Sequence, residues 1–325
     1  MTYARSISLF LAGAAALASC STLAQVSYPG KPIRLVVGFT AGGISDVLAR
    51  ALGARLTAQM GQPVAVDNRA GAGTTIAGEI VAKAPPDGYT LFMQDMTTQA
   101  INASLYKKLP YDTVRDFTPI TLVASSPLML VVHPSLPVKS VKDLIALAKS
   151  KPGQVVFASS GNGTILHLAA ETLKSMAGID MIHVPYKGSS QAVQAVMGGE
   201  VAVSFSTMPP AIPNVKSGRL RALAVTTPRR NAAAPDVPTV AEGGLAGFDV
   251  VLYSGVLGPA GLPPAVVNKL NAEFIKAVNA PEVKTVYASL GVEPVTNTPA
   301  EFAAHITADI DKLGKAVRAS GAHVD

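Results

Sequence analysis

Short apolar runs rich in β-branched residues alternate along the chain with segments whose apolar positions recur every three or four residues. The runs at 33–37, 63–66, 89–93, 128–132, 155–157, 201–205 and 223–225 predict strands, and the segments between them predict helices. Strands this continuously apolar suit parallel pairing beneath helices on both faces. The predicted class is α/β.

Two junctions stand out. Strand 33–37 runs into Gly38, Phe39, Thr40, Ala41, Gly42, Gly43, Ile44, Ser45 and Asp46, after which Leu48, Leu52, Leu56 and Met60 keep helical spacing; Ser45 or Asp46 is the expected N-cap. Strand 155–157 runs into Ser159, Ser160, Gly161, Asn162, Gly163 and Thr164, followed by Ile165, Leu168, Leu173 and Met176. Glycine lets backbone amides converge without a Cβ in the way, and the first turn of the following helix presents unpaired N–H groups with partial positive charge. An anion fits such a turn. Most glycine-rich turns in α/β proteins nevertheless only join a strand to a helix.

The 325 residues are 49% hydrophobic and 15% charged, enough apolar material for a large core and two domains. Residues 1–24 read as an export signal: Arg5 precedes an apolar core and small residues follow. That core is too short to span a bilayer. Cys20 is the single cysteine, in Leu17-Ala18-Ser19-Cys20, which resembles a lipobox; the competing reading is cleavage after Thr22-Leu23-Ala24, which discards it. Both readings exclude an internal disulfide. The formal charge of +6 is spread along the chain, and without Trp or a basic stripe interleaved with aromatics, nucleic-acid binding is not expected. A mildly positive field favours small anions.

The two turns occur together with Asp67-Asn68-Arg69-Ala70-Gly71-Ala72-Gly73, Pro86-Asp87-Gly88-Tyr89-Thr90-Leu91, His183-Val184-Pro185-Tyr186-Lys187-Gly188 and Pro235-Asp236-Val237-Pro238-Thr239-Val240-Ala241-Glu242. In that order, from about Tyr28 to the C-terminus, they resemble the Bug family, periplasmic receptors of tripartite tricarboxylate transporters. The resemblance implies a type II periplasmic-binding-protein fold, with lobe one at 26–124 plus 228–325, lobe two at 125–227, and the ligand in a cleft between them. It further implies a monomer that hands a small carboxylate to integral membrane subunits. The carboxylate would be held by Phe39, Thr40, Ala41, Gly42, Gly43 and Asp46 from one lobe and Ser160, Gly161, Asn162, Gly163, Thr164 and His167 from the other.

Several of these side chains carry a second reading. Asp46 suits a structural pairing with Arg50 at i+4 better than a ligand contact. His167 is equally well a buried, satisfied histidine, and Lys187, beside Tyr186, a solvated loop lysine. The segment Met93-Gln94-Asp95-Met96-Thr97-Thr98-Gln99 departs from the small residues common in the family. If Asp95 reaches the cleft it repels a second carboxylate and accepts from an amine, amide or hydroxyl; an exposed loop aspartate is the alternative. Ser206 and Thr207 stand where relatives often carry an acid, so the distal end of the pocket looks individual.

Enzymatic readings fare poorly. Gly71-Ala72-Gly73 lacks the third glycine of a dinucleotide turn, since Ile76 stands there, and no GxSxG elbow occurs. His133, His167, His183, His305 and His323 form no pair at metal-ligand spacing, so no metal or cofactor is implied. A receptor that signals through a membrane partner instead of delivering its ligand remains the alternative.

Overall fold

The computed structural model describes residues 28–320. Met1–Gly30 form a unit of their own, described only at residues 28–30; the export signal, Cys20 and likewise His323 lie outside the described residues. Every strand and helix among the described residues belongs to the second unit, which begins at Lys31.

β1 (Ile33–Val37) lies between β2 (Val64–Asn68) and β3 (Thr90–Asp95), all parallel, with Leu35 in register with Val66 and Leu91. α1 (Ile44–Met60) carries the chain from β1 to β2 by burying Leu48, Ala49, Leu52 and Leu56. A single 3-10 turn at Ala72–Thr74 and α2 (Thr75–Ala82) lead to β3, and α3 (Met96–Leu105) follows it.

β4 (Phe117–Val132) then serves two sheet regions, and α4 (Val141–Ser150), β5 (Val156–Ser159), α5 (Ile165–Ala177), β6 (Ile182–Pro185), α6 (Ser189–Met197), β7 (Val203–Thr207), α7 (Met208–Lys216) and β8 (Arg221–Val225) build the second of them. β9 (Val251–Pro259) returns to the first, and α8 (Pro264–Val278), α9 (Pro281–Ser289), β10 (Glu293–Pro294) and α10 (Pro299–Ser320) complete it. Up to Pro127, β4 pairs with β9; from Leu128 it pairs with β7 and β8. The expected all-parallel pairing holds for β2–β1–β3 and for β6–β5–β7. It fails at β3–β9, β9–β4, β4–β7 and β4–β8, which are antiparallel, because the strands that cross between the two regions run back along their neighbours.

Each region has its own core. Val36, Phe92, Met96, Phe117, Leu257 and Phe302 pack in the first; Met129, Val131, Ala158, Val193, Val196 and Met208 pack in the second. A third cluster joins them: Ile101 and Leu105 of α3 and Val317 of α10, with Leu168 of α5 against them.

The crossing is held by Thr226, which is fully buried beside the point where β4 changes partners. Its N–H donates to Leu128 O at 3.0 Å. Its hydroxyl accepts from Leu128 N at 2.8 Å and donates to Val250 O at 2.6 Å, while Val250 N donates to Thr226 O at 3.1 Å. Thr226→Val keeps the shape but strands the Leu128 amide and one claim on Val250 O. Each buried polar group left unpaired costs about 1–3 kcal/mol, and urea unfolding of this variant should show a loss of that order.

Candidate functional site

The turn after β1 ends on Gly43, which caps α1 through its extended backbone and offers no side-chain hydrogen bond. Ser45 and Asp46, expected at the cap, instead lie inside the first turn and are buried. Asp46 accepts from Gly42 N at 2.9 Å and from Arg50 Nε at 3.1 Å. Burial opposes its ionisation, yet the hydrogen bonds from Arg50, Gly42 and Asn68 and the charge of Arg50 hold its carboxyl below the usual carboxylate range. Asp46 therefore braces the turn and engages the Gly42 amide itself.

The turn after β5 is braced from behind. Gly163 N donates to His167 Nδ1 at 3.2 Å, and His167 Nε2 faces Glu171 Oε1 at 3.7 Å. The His167 ring stacks on His183 with centroids 4.0 Å apart, and His183 stacks on Phe157 at 4.8 Å. His183 Nε2 lies 2.6 Å from Ser159 Oγ, which also accepts from Gly161 N at 3.1 Å. Ser160 Oγ donates to Thr164 Oγ1, and that hydroxyl donates to Gly161 O. Burial, and then the neighbouring His167, push the His183 imidazole down to about 3.

The two turns face each other. Thr40 lies so close to Gly188 that its hydroxyl occupies the place a Cβ would take, and Ser190 Oγ lies 3.0 Å from the Cβ position of Gly42. Gly163, at φ +72, has Leu105 Cδ2 where its Cβ would be. Between the turns is an enclosed cavity of about 20 Å³, lined by Phe39, Gly43, Ile44, Ser45, Asp95, Ser160, Leu166, Ser189, Thr207 and Leu252. Phe39 and Ser160 also line an outer cavity of about 340 Å³, whose wall includes Gly71–Thr74, Tyr106, Gly161, Asn162, Tyr186 and Lys187.

The inner cavity gathers helix starts. α1, α5 and α6 begin at Gly43, Thr164 and Gly188, none of which makes a side-chain cap, so their first-turn amides have no intrahelical partner. α7 begins at Thr207 without a cap and carries proline in its first turn. α3 is the exception: Asp95 accepts from Thr97 N and Thr98 N and from the Thr98 hydroxyl. Four oxygens around this point, Thr40 Oγ1, Ser45 Oγ, Ser190 Oγ and Thr207 Oγ1, are buried without a hydrogen-bond partner in the protein. Buried polar groups are almost always paired, so such a cluster marks a place where something else completes them.

A larger groove of about 710 Å³ lies elsewhere, with Lys139, Lys142 and Arg221 in its wall. There the start of α4 is already satisfied, since Ser140 Oγ accepts from Asp143 N and Asp143 accepts from Lys139 N. Arg221 is bound to the carbonyls of Leu136 and Val138. The smaller cavity has the chemistry of a ligand site, whereas the groove is mainly space.

The expected residues divide accordingly. Phe39, Gly43, Asp95 and Ser160 line the inner cavity; Gly161, Asn162, Tyr186 and Lys187 line the outer one; Thr40 stands beside them with its free hydroxyl. Ala41 and Gly42 are exposed on the rim, and Gly163, Thr164 and His167 support the second turn from within. Ser206 is buried in β7 against Ser189, and its neighbour Thr207 faces the cavity instead. Asp95 is a buried helix cap, not an exposed loop residue. Sequence reasoning placed Thr207 with Ser206 at the distal end of the pocket but missed Ser189. Gly188-Ser189-Ser190 followed by Ala192, Val193 and Val196 is a third strand–glycine–helix junction and held the signal; Leu252, in mid-strand, offered none.

Two sheet regions joined by crossing strands, with helix starts from both meeting at one cavity, define a two-lobed solute-binding protein of the periplasmic-binding-protein type. Residues 48–322 match the tripartite tricarboxylate transporter family receptor, and the chain belongs to that family. It is 37% identical over 319 residues to Protein BugT of Bordetella pertussis, covering 97% of this chain and 96% of that one. Among solved structures, an R. palustris protein with adipate is 35% identical with a TM-score of 0.88, covering 91% of this chain and 100% of that one. MatC from Rhodopseudomonas palustris with bound malate is 30% identical with a TM-score of 0.84, covering 89% and 100%. Among the described residues no helix is long and apolar enough to cross a membrane.

The His183 environment gives a stability test. Its imidazole falls from the ordinary 6.5 to about 3 on folding, so the unfolded chain binds more protons between those values. The stabilising contribution is complete above pH 6.5 and is lost as pH falls toward 3. Melting temperature followed from pH 7 to pH 4 should drop less steeply in His183→Phe, which keeps the stack and removes the titrating group; an unchanged slope would assign the acid sensitivity elsewhere.

Proposed function

We propose that this protein captures a small carboxylate between its two lobes, outside the cytoplasmic membrane, and delivers it to the integral membrane subunits of a tripartite tricarboxylate-type transporter, without chemical turnover. The observation that carries the reading is the meeting of the uncapped starts of α1, α5 and α6 at one cavity among unpartnered hydroxyls. Family membership and the relatives solved with adipate and malate support it. The change of partners at Pro127–Leu128 and the knot at Thr226 support lobe limits near 26–124 plus 228–325 and 125–227.

Magnitudes say what the helix starts can do. Each contributes about 0.3–1 kcal/mol to an anion, up to ~2 when partly buried, whereas a micromolar complex requires about 8 kcal/mol. Three such termini anchor and orient the carboxylate; contacts to the rest of the ligand and exclusion of water on closure supply the remainder. The inner cavity, at about 20 Å³, holds about one water molecule. A carboxylate is larger, so the lobes must part and reclose around it. The crossing strands at Pro127–Leu128 and Thr226, and the apolar contact of Leu105 with Gly163, are the parts that do so.

A thermal-shift screen with carboxylates and their amides tests the reading. A carboxylate that binds only the folded state adds about 2.7 kcal/mol of stability at a hundredfold excess over its Kd, and its amide should add nothing. Gly163→Val, which pushes Leu105 out of the closed contact, should weaken binding at least tenfold. Stabilisation by the amides alone, or full affinity in Gly163→Val, would contradict the proposal.

A further inference from the structure

The inner cavity holds an acid that an anion site does not need. Asp95 is 1% exposed and lies in the same wall as the starts of α1 and α6. Its Oδ1 accepts two amides and its Oδ2 one hydroxyl, all from α3. A carboxylate has about four acceptor sites, which leaves one on Oδ2. Among the described residues no lysine, arginine or histidine lines the cavity to pair with it. The charges around it make matters worse, for burial first and then Asp309 of α10 push the Asp95 carboxyl up to about 6. Buried charges are ordinarily paired. The hydroxyls of Ser45 and Thr207, in the same wall, are also buried and unpartnered.

We infer that Asp95 is the specificity-determining residue of this receptor: it accepts a hydrogen bond from an ammonium or hydroxyl group on the carbon next to the ligand carboxylate, so that the solute is an α-amino or α-hydroxy acid and not an unsubstituted one. The closeness of the two features carries the argument. Helix starts that take a carboxylate and an acid that takes a donor line the same small cavity, so when the lobes reclose around the ligand the two groups they hold sit on adjacent atoms. The remainder of the ligand points past Phe39 and Ser160 into the outer cavity of about 340 Å³. A second carboxylate on the carbon next to the first is excluded by repulsion from Asp95; one farther along the chain, in the outer cavity, is not.

The inference rests on the carboxylate reading, and one titration series separates the two. Calorimetry of the purified protein with 2-amino, 2-hydroxy and unsubstituted carboxylic acids of three to six carbons, and with the corresponding amides, should show the substituted acids binding at least tenfold tighter than the unsubstituted acid of equal length. The amino and hydroxy arms identify which donor is used. Asp95→Asn keeps an N-cap for α3 and should shrink that preference to threefold or less; Asp95→Ser, also a capping residue, checks the result in a second folded background. Equal affinity for substituted and unsubstituted acids, or an unchanged preference in both variants, would overturn the role of Asp95 and leave the carboxylate reading standing. Binding of the amides in place of the acids, or silence from every acid, would overturn both.

Discussion

The first turn of an α-helix carries amides that its own backbone cannot satisfy, and in this protein three such turns are brought to the same buried place. Most of the architecture is governed by that constraint. Unsatisfied donors are tolerable on a surface, where water completes them, but between closed lobes they need an anion or ordered water. Two other helices, α3 and α4, carry Asp95 and Ser140 as side-chain caps. Side-chain caps are also missing from α2, α8 and α9, so what distinguishes Gly43, Thr164 and Gly188 is that the helices they begin meet at one cavity among unpartnered hydroxyls.

Hydrogen bonds and ring stacking behind those turns hold them in place. Asp46 and Arg50 fix the first turn through the Gly42 amide, and the His167–His183–Phe157 stack fixes the second through Gly163 N and Ser159. Thr226 ties the strands that cross between the two sheet regions.

Much of this was legible in the sequence, for identifiable reasons. The strands at 33–37 and 223–225 and the helices after Gly43 and Thr164 announce themselves because burial on both faces leaves an uninterrupted apolar run, and burial on one face leaves a period near 3.6. β9 was not legible: Ser254, Gly255 and Gly258 interrupt its apolar run, and its identity comes from pairing with β3 and β4. The two glycine turns were visible, but their chemistry was not fully so. The structural reading of Asp46, paired with Arg50 at i+4, was legible from spacing and is what the structure shows, and His167, open between two readings in the sequence, accepts from the backbone of its own turn. Asp95 reads from sequence as either a cleft residue or an exposed loop aspartate, and the fold decides for the cavity wall by burying it as a cap. Leu252 comes to the site from a distant strand, and nothing local in the sequence foretells that.

The most direct test is amide chemical-shift mapping by NMR of the isotope-labelled protein during titration with a carboxylate that stabilises it. The account predicts that the amides of Ile44, Ser45, Ile165, Leu166 and Ser189 move first and farthest, because they are the helix-start groups that meet the anion. Shifts concentrated instead on Lys139, Lys142 and Arg221, in the wall of the larger groove, would contradict it and place the ligand outside the cleft.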